Sequence, residues 1–417
     1  MKQFKRQRVQ RRWIYEGLGW LLVVLAPVGY AIAATEAPAE FDNQTNGFEL
    51  QPQMDEDRIM HFDKPEEIDD GLGPVYNAQA CRECHQNPVS GATSQVTELR
   101  VGRLDPAGNF VDRPGGSLIN DRAINPAIQE RVDPADTVVA FRASLNLLGD
   151  GFVESIADST FTTIQNGQPA GMKGQIISVP LLEAPGQTRV ARFGWKNQHA
   201  SLLSFAADAY LNEMGITSPL QPTENTSNGN SVAAFDHPAK HPTDPEDEAT
   251  PENPNGPDVE AFVRFMRSTK VPPRDTILAA TADAVAGASL FNSIGCGICH
   301  VTSITTAPAG TVINGGTFTV PPELGDKIIH PYSDFMLHNV GTGDRIVQNG
   351  GQSTAPKLRT PPLWGLRTRA RFMHDLGNGT RNGAILRHAG EANPVIASYR
   401  NLSPTQQNQL LTFLDSL

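Results

Sequence analysis

The sequence predicts a mainly α fold with many loops, organised as two similar units. Three observations carry this. The stretches Gly73-Pro-Val-Tyr-Asn-Ala-Gln-Ala-Cys-Arg-Glu-Cys-His85 and Ala286-Gly-Ala-Ser-Leu-Phe-Asn-Ser-Ile-Gly-Cys-Gly-Ile-Cys-His300 both end in Cys-x-x-Cys-His, with an aromatic residue, Tyr76 or Phe291, five positions before the first cysteine. Downstream of each motif stands an amphipathic helical pattern, beginning at Asp258 and at Ser403. Between these points, 37 glycines and 32 prolines divide the chain into short pieces.

The motifs dictate a chemistry. Two thiols at this spacing can add to the two vinyl groups of one haem, and the following histidine can reach its iron as proximal ligand. Cys81, Cys84 and His85 form one such set, and Cys296, Cys299 and His300 the other. The reading is therefore two covalently bound haem c groups in two cytochrome c-like haem domains. Both motifs together use all four cysteines, so no thiol is left for a structural disulfide. A zinc protein is the first alternative, but paired Cys-x-x-Cys ligands usually lie roughly 15–20 residues apart, and Cys81 and Cys296 are 215 apart. A thiol–disulfide protein is the second, although nothing in that chemistry requires histidine after both pairs.

Charge narrows the partners. The chain carries a net −11, and residues 1–33 hold six basic residues against Glu16, leaving −16 without them. An acidic surface disfavours nucleic acid and suits docking of a basic redox partner.

In chain order, residues 1–33 read as a secretory signal peptide. A basic start leads into apolar Leu18–Ala26, then Pro27 and the small-residue cleavage site Ala31-Ile-Ala33. The apolar run is shorter than the ~20 residues that span a bilayer, so no stable membrane span follows cleavage. Arg11-Arg12 lacks the rest of a twin-arginine signal, and haem attachment needs an unfolded chain outside the cytoplasm. General secretion to the periplasm is the expectation. Residues 34–70 are polar and acidic and read as an extended N-terminal arm.

Residues 71–275 form the expected N-terminal haem domain and 276–417 the C-terminal one. The stretch to about 190 reads as loops and short strands or helices around a cofactor, and about 198–214 as a helix. Residues 221–257 carry seven prolines and read as a long exposed loop. His237 and His241 lie in that loop, where Pro238 and Pro242 deny them a shared helical face. Asp258 is placed to cap a helix with Val259, Phe262, Val263 and Met266 on one face, stopped by Pro272-Pro273. Thr281 can cap the helix running into the second motif, and Gly295 can end it. The last helix has Ser403 as cap, Pro404 at its first position and Gln406 to complete a capping box, with Leu410, Leu411, Phe413, Leu414 and Leu417 as its buried stripe. Each unit is thus expected to open with a helix into its motif and to close with an amphipathic helix.

The sixth coordination position of each iron decides its chemistry: strong ligands on both sides favour electron transfer, an open position favours peroxide. Four of the eight other histidines, 330, 338, 374 and 388, follow the second motif. Here the sequence resembles a family. Ile329-His-Pro-Tyr-Ser-Asp334, His338-Asn-Val-Gly341, Leu358-Arg-Thr-Pro-Pro-Leu-Trp-Gly365, Arg371-Phe-Met-His-Asp375 and Ile385-Leu-Arg-His-Ala-Gly-Glu-Ala392 are similar to bacterial di-haem c-type oxidoreductases described as peroxidases. Phe193-Gly-Trp195 and Asn212-Glu-Met-Gly-Ile-Thr217 match too, so the resemblance runs from about 70 to 417. More distantly, this family is similar to di-haem cytochrome c peroxidases and to the di-haem enzyme that matures methylamine dehydrogenase.

The resemblance implies roles. His374-Asp375 stands for a His-Asp-Gly turn, and His388, fourteen residues after His374, for the distal ligand of the second haem. The first haem is then implied to be five-coordinate, with Glu213 as distal acid and Trp195 between the haems. The turn departs from the pattern, with Leu376 inserted before its glycine. Calcium between the haems is implied as well, although Thr368-Arg-Ala-Arg stands where its Thr-x-Pro piece belongs. His330 and His338 read as loop-pinning residues, with Asp334 orienting one of them. The implied activity is reduction of hydrogen peroxide at the first haem, with electrons from a small cytochrome or cupredoxin entering at the second. The rivals are an electron-transfer cytochrome, a protein-modifying di-haem oxidase and a thiol oxidoreductase.

Overall fold

The structure, a computed structural model, describes residues 33–236, 244–247 and 257–417; all but the last residue of the expected signal segment, and His237 and His241, lie outside them. Ala34–Leu417 form one unit. Its largest core draws on both expected domains, packing Phe152, Phe193, Leu202, Phe262 and Phe265 with Ile304, Leu324, Ile329, Phe335 and Trp364. A second cluster, Phe291, Tyr332, Tyr399, Leu410, Phe413, Leu414 and Leu417, belongs to the C-terminal part alone.

Among the described residues no α-helix exceeds 12 residues, and most strands have two or three. The many loops agree with expectation, whereas the mainly α character holds only in part, because fifteen short strands stand among the eleven α-helices of the described residues. One sheet goes beyond it: Thr97–Leu104 pairs antiparallel with Val138–Ala143 over six positions, flanked by Phe110–Val111 and Leu118–Ile119. Val138 and Ala140 face inward while Val139 and Phe141 face out, the alternation that a one-sided sheet imposes.

The second motif is built as its residues predict. Thr281 accepts a hydrogen bond from the Ala284 amide and starts the helix Ala282–Ser293, and Gly295 ends it at φ +100°. The helix packs on Pro404–Asp415, whose capping box through Ser403 and Gln406 is complete. The two backbones meet at Gly287, where a Cβ would stand 2.0 Å from the Gln409 carbonyl oxygen. Gly287→Val is therefore expected to cost at least about 2 kcal/mol through overpacking, read as a lower urea midpoint of the holoprotein with unchanged slope.

The first motif departs from expectation. No helix leads into it; Val75–Tyr76 pairs with Arg122–Ala123, and only Cys81–Cys84 forms a helical turn. Gly71 and Gly73 take positive φ and Pro74 follows, a run that helical dihedrals cannot accommodate. The arm 34–70 is not free either. Thr35–Glu36 pairs with Lys327–Ile329, and the Gln51–Glu56 helix with the wide turn after it buries Met54, Asp57 and Phe62.

The expected exposed loop is likewise partly tucked in. Ser227, Val232, Glu246 and Asp247 are buried, and the Ser227 hydroxyl donates to the Ile128 carbonyl at 2.7 Å. Polar composition measures how well a segment tolerates water, and internal hydrogen bonds satisfy it as well. One such bond replaces an expected cap. Asp258 opens its helix, Asp258–Ser268, as first residue, and Asp247 caps it by accepting from the Asp258 and Val259 amides at 2.6 and 3.2 Å.

Candidate functional site

Two cavities, of about 1380 and 1330 Å³, each take the side chains of one Cys-x-x-Cys-His motif. The two cysteine pairs stand in different cavities, so they cannot share one zinc ion. Burial pushes the Cys84 and Cys296 thiols up to about 12, opposite to the depressed values that reactive thiols need.

The larger cavity holds Cys296, Cys299 and His300 on one side and His388 on the other. His300 Nδ1 faces the Tyr332 carbonyl at 2.8 Å, and His388 Nδ1 faces the Ala384 carbonyl at 2.9 Å. Donation from Nδ1 fixes the neutral tautomer and leaves Nε2 free as a ligand. Burial lowers His300 to about 4 and lowers His388 too, so both rings are neutral bases. Their centroids lie 6.5 Å apart. Two imidazoles that share one metal, each at about 2 Å, place their centres roughly 6 Å apart. The pair therefore fits an iron between them.

Local structure places His388. Thr380 caps the helix Arg381–Leu386, and Arg387 forms a bidentate pair with Asp375 at 2.9 Å on both arms. That pair ties the ligand's chain neighbour to the turn at His374. The inserted Leu376 adopts φ +53°, and the Phe372 amide closes the turn onto the Asn378 carbonyl at 2.8 Å. Arg359 and Arg369 line the same cavity, both pushed down to about 10, Arg369 by burial and Arg359 chiefly so. Buried guanidinium groups suit the propionate carboxylates of a haem. His338 also lines this cavity, held at 2.8 Å by both Asp334 and Glu391. Exposed His330 reaches Glu36 at 3.0 Å.

The second cavity holds Cys81, Cys84 and His85. His85 Nδ1 faces the Ala92 carbonyl at 3.3 Å, and burial pushes the ring down to about 4. Among the described residues lining this cavity there is no second histidine. His199 is not among the lining residues; its Nε2 stands 3.0 Å from Asp208, which is. Met214 and Met266 belong to the apolar wall, and Glu213 faces the space.

Glu213 is locked over the motif. It lies in the wide turn Tyr210–Met214 that continues Leu202–Ala209, the helix expected over 198–214. Its carbonyl accepts from the Asn77 and Ala78 amides at 2.7 and 3.0 Å. Gly215, at φ +72°, lets the backbones touch; a Cβ there would stand 2.6 Å from the Val75 oxygen. The Glu213 side chain accepts from Asn77 Nδ2 at 2.8 Å, and burial, then the nearby Glu98 charge, push its carboxyl up to about 8.

Trp195 is the wall between the cavities, lining both. Its Nε1 donates to the Ala143 carbonyl at 2.8 Å, and the Ala143 amide donates to the His374 carbonyl at 2.6 Å. The His374 ring stands edge-on to the indole at 6.0 Å, buried, with Nδ1 unpartnered beside the larger cavity. Burial keeps this ring below its ordinary value. Arg142 and Lys196, both buried, converge on Asp344 at 2.7 and 3.2 Å and fasten the wall to the C-terminal part.

The structure thus brings the expected site residues into two neighbouring groups. Two more, Glu98 and Arg100, line the second cavity and escaped the sequence reading. Their spacing of two on a strand puts them on one face, a signal legible only once that stretch is known to be a strand. Among the described residues, Glu224, Asp236, Asp244 and Glu246 are close enough to hold a cation, but they line neither cavity. Calcium between the cavities rests on the resemblance alone.

Comparison with solved structures finds similarity at low identity. Hydrazine synthase from Kuenenia stuttgartiensis shares 12% identity with a TM-score of 0.41, over 99% of this chain and 100% of that one. A variant of the diheme peroxidase BthA from Burkholderia thailandensis shares 14% at 0.41, covering 93% and 91%. A MauG-like protein associated with microbial copper homeostasis shares 14% at 0.36, covering 85% and 92%. Comparison with curated proteins gives no match. Residues 120–417, from beyond the first motif to the end, match the family described as "Di-haem oxidoreductase, putative peroxidase". That span takes in Trp195, Glu213, the second motif and His388, and the chain belongs to the di-haem oxidoreductases.

Proposed function

We propose that this protein is a periplasmic di-haem c-type peroxidase, carrying hydrogen peroxide to two waters with two electrons and two protons. Haem, when bound, supplies the redox-active iron at each site. Cys81 and Cys84 hold one group covalently and Cys296 and Cys299 the other, with His85 and His300 as proximal ligands. His388 completes the second site, which receives electrons from a small donor protein. Trp195, touching both cavities, is the bridge to the first site. There Glu213 holds the proton that must move between peroxide oxygens, as general acid–base chemistry requires. His374 buttresses Trp195 from the side of the larger cavity, that of His300 and His388. The periplasmic location follows from reading residues 1–33 as a signal, and no helix among the described residues is long and apolar enough to cross a membrane.

One asymmetry carries the reading: an imidazole faces His300 across its cavity, whereas a carboxyl group and no imidazole shares the cavity of His85. Resting electron paramagnetic resonance of the holoprotein tests it. One high-spin and one low-spin ferric signal are expected, with loss of the high-spin signal on adding peroxide. Two low-spin signals that ignore peroxide would leave an electron-transfer cytochrome. Rapid turnover of peroxide with a reduced small cytochrome completes the test.

A further inference from the structure

The first site contains two carboxyl groups where the reading above uses one. Glu98, on the strand Thr97–Leu104, lines the same cavity as Glu213, and the two buried carboxyl groups interact there. Two interacting carboxyl groups that share one buried cavity disfavour a second negative charge, so the pair retains a proton. The surroundings decide where the charge sits. Glu98 accepts from Arg100 Nε and Nη2 at 2.6 and 3.0 Å, with Arg142 Nη1 at 3.7 Å. Glu213 has a neutral donor, Asn77 Nδ2, at 2.8 Å. Asn77 cannot turn over, because its Oδ1 accepts from the Asp121 amide at 2.8 Å. The anion therefore belongs to Glu98 and the proton to Glu213. Burial alone would raise Glu98, but its arginines outweigh that and keep it below the ordinary glutamate value.

Resting on the peroxidase reading, we propose that Glu98 is the proton partner of Glu213, the two carboxyl groups holding one proton between them. As peroxide enters, the Glu213 proton passes to Glu98, and Glu213 takes up the proton leaving one peroxide oxygen. Glu213 then gives that proton to the other oxygen, which departs as water when the O–O bond breaks, and the proton on Glu98 returns. Two electrons from the reduced donor protein and two protons from solvent convert the remaining oxygen to the second water. The dyad ends as it began, with one proton. Glu98 acts through Glu213 and is a positioning residue.

The charged groups facing the pair are Arg100 and Arg142 from the two strands, Asp208 from the helix Leu202–Ala209 and Asp121 from the turn before Arg122–Ala123. None of them changes in the deciding variant. The test follows the protonated-carboxyl infrared band during pH titration of the holoprotein, with haem absorbance confirming that both groups are in place. The band is expected to vanish in Glu213→Gln. In Glu98→Gln, loss of the neighbouring anion is expected to move its midpoint down by about one pH unit or more, a tenfold change in acid constant. Arg100→Gln moves the midpoint up, and Glu98→Asp, which keeps the charge, leaves it near the parent value. The alkaline limb of kcat/KM for peroxide shifts in step. An unmoved midpoint in Glu98→Gln, or equal shifts in Glu98→Gln and Glu98→Asp, overturns the dyad even with peroxide turnover intact. The expected infrared shifts in a protein that ignores peroxide instead sink the peroxidase reading and leave the dyad standing.

Discussion

Glu213→Gln is expected to lower peroxide turnover by about 10²- to 10⁴-fold, the range that a positioned acid–base group contributes. Glutamine keeps the size and can still accept from Asn77, so loss of the titratable proton is the main change. The parent enzyme should also lose activity as pH rises through about 8. The Glu213 carboxyl is pushed up to about 8 by burial and by the Glu98 charge, so its protonated form is present below that pH and disappears above it. Steady-state kinetics with a reduced small cytochrome across pH 5–10 check both statements. A glutamine variant with more than half the parent kcat/KM at neutral pH would remove Glu213 from the mechanism.

His388→Met is expected to act on the second site and spare the first. A thioether in place of imidazole raises the potential of a haem. On the span of about 0.8 V that axial ligands command, a rise of more than about 100 mV is expected. Spectroelectrochemical titration reads that shift, and electron paramagnetic resonance reads the altered low-spin signal. The first site should still show its high-spin signal, because no part of the Arg381–Leu386 helix or of His388 lines the cavity of Cys81, Cys84 and His85. An unchanged low-spin signal would mean that another side chain faces His300 across the iron. Turnover should fall with the driving force for electrons leaving the second site, while peroxide binding at the first stays as it was.

Covalent spacing made much of this legible in advance. The two Cys-x-x-Cys-His sets are local, since five consecutive residues carry both thiols and the histidine. The same holds for the Ser403 capping box and for the Thr281 and Gly295 boundaries of the helix before Cys296, whose hydrogen bonds span only a few residues. The resemblance added positions that local chemistry does not single out, namely Trp195, Glu213, His374 and His388. The structure places all four against the cavities. Where the reading faltered, the deciding contacts were remote. The arm buries Met54 and Phe62 because a core from the far end of the chain is there to receive them. The cap of the Asp258–Ser268 helix comes from Asp247, across a loop whose composition signals only solvent.

By itself, then, the sequence pointed to two haem groups and to the ends of the principal helices, because a Cys-x-x-Cys-His set and a helix cap each span only a few neighbouring residues. The resemblance implied Trp195 between the two sites and His388 opposite His300; tertiary structure alone decided which walls enclose them and that Glu98 shares the cavity of Glu213. Those residues come together across separations of 52 to 136 positions, such as Ala143 to Trp195 and Asn77 to Glu213. Such distances close only when the strands, turns and glycine contacts around the two cavities are all in place.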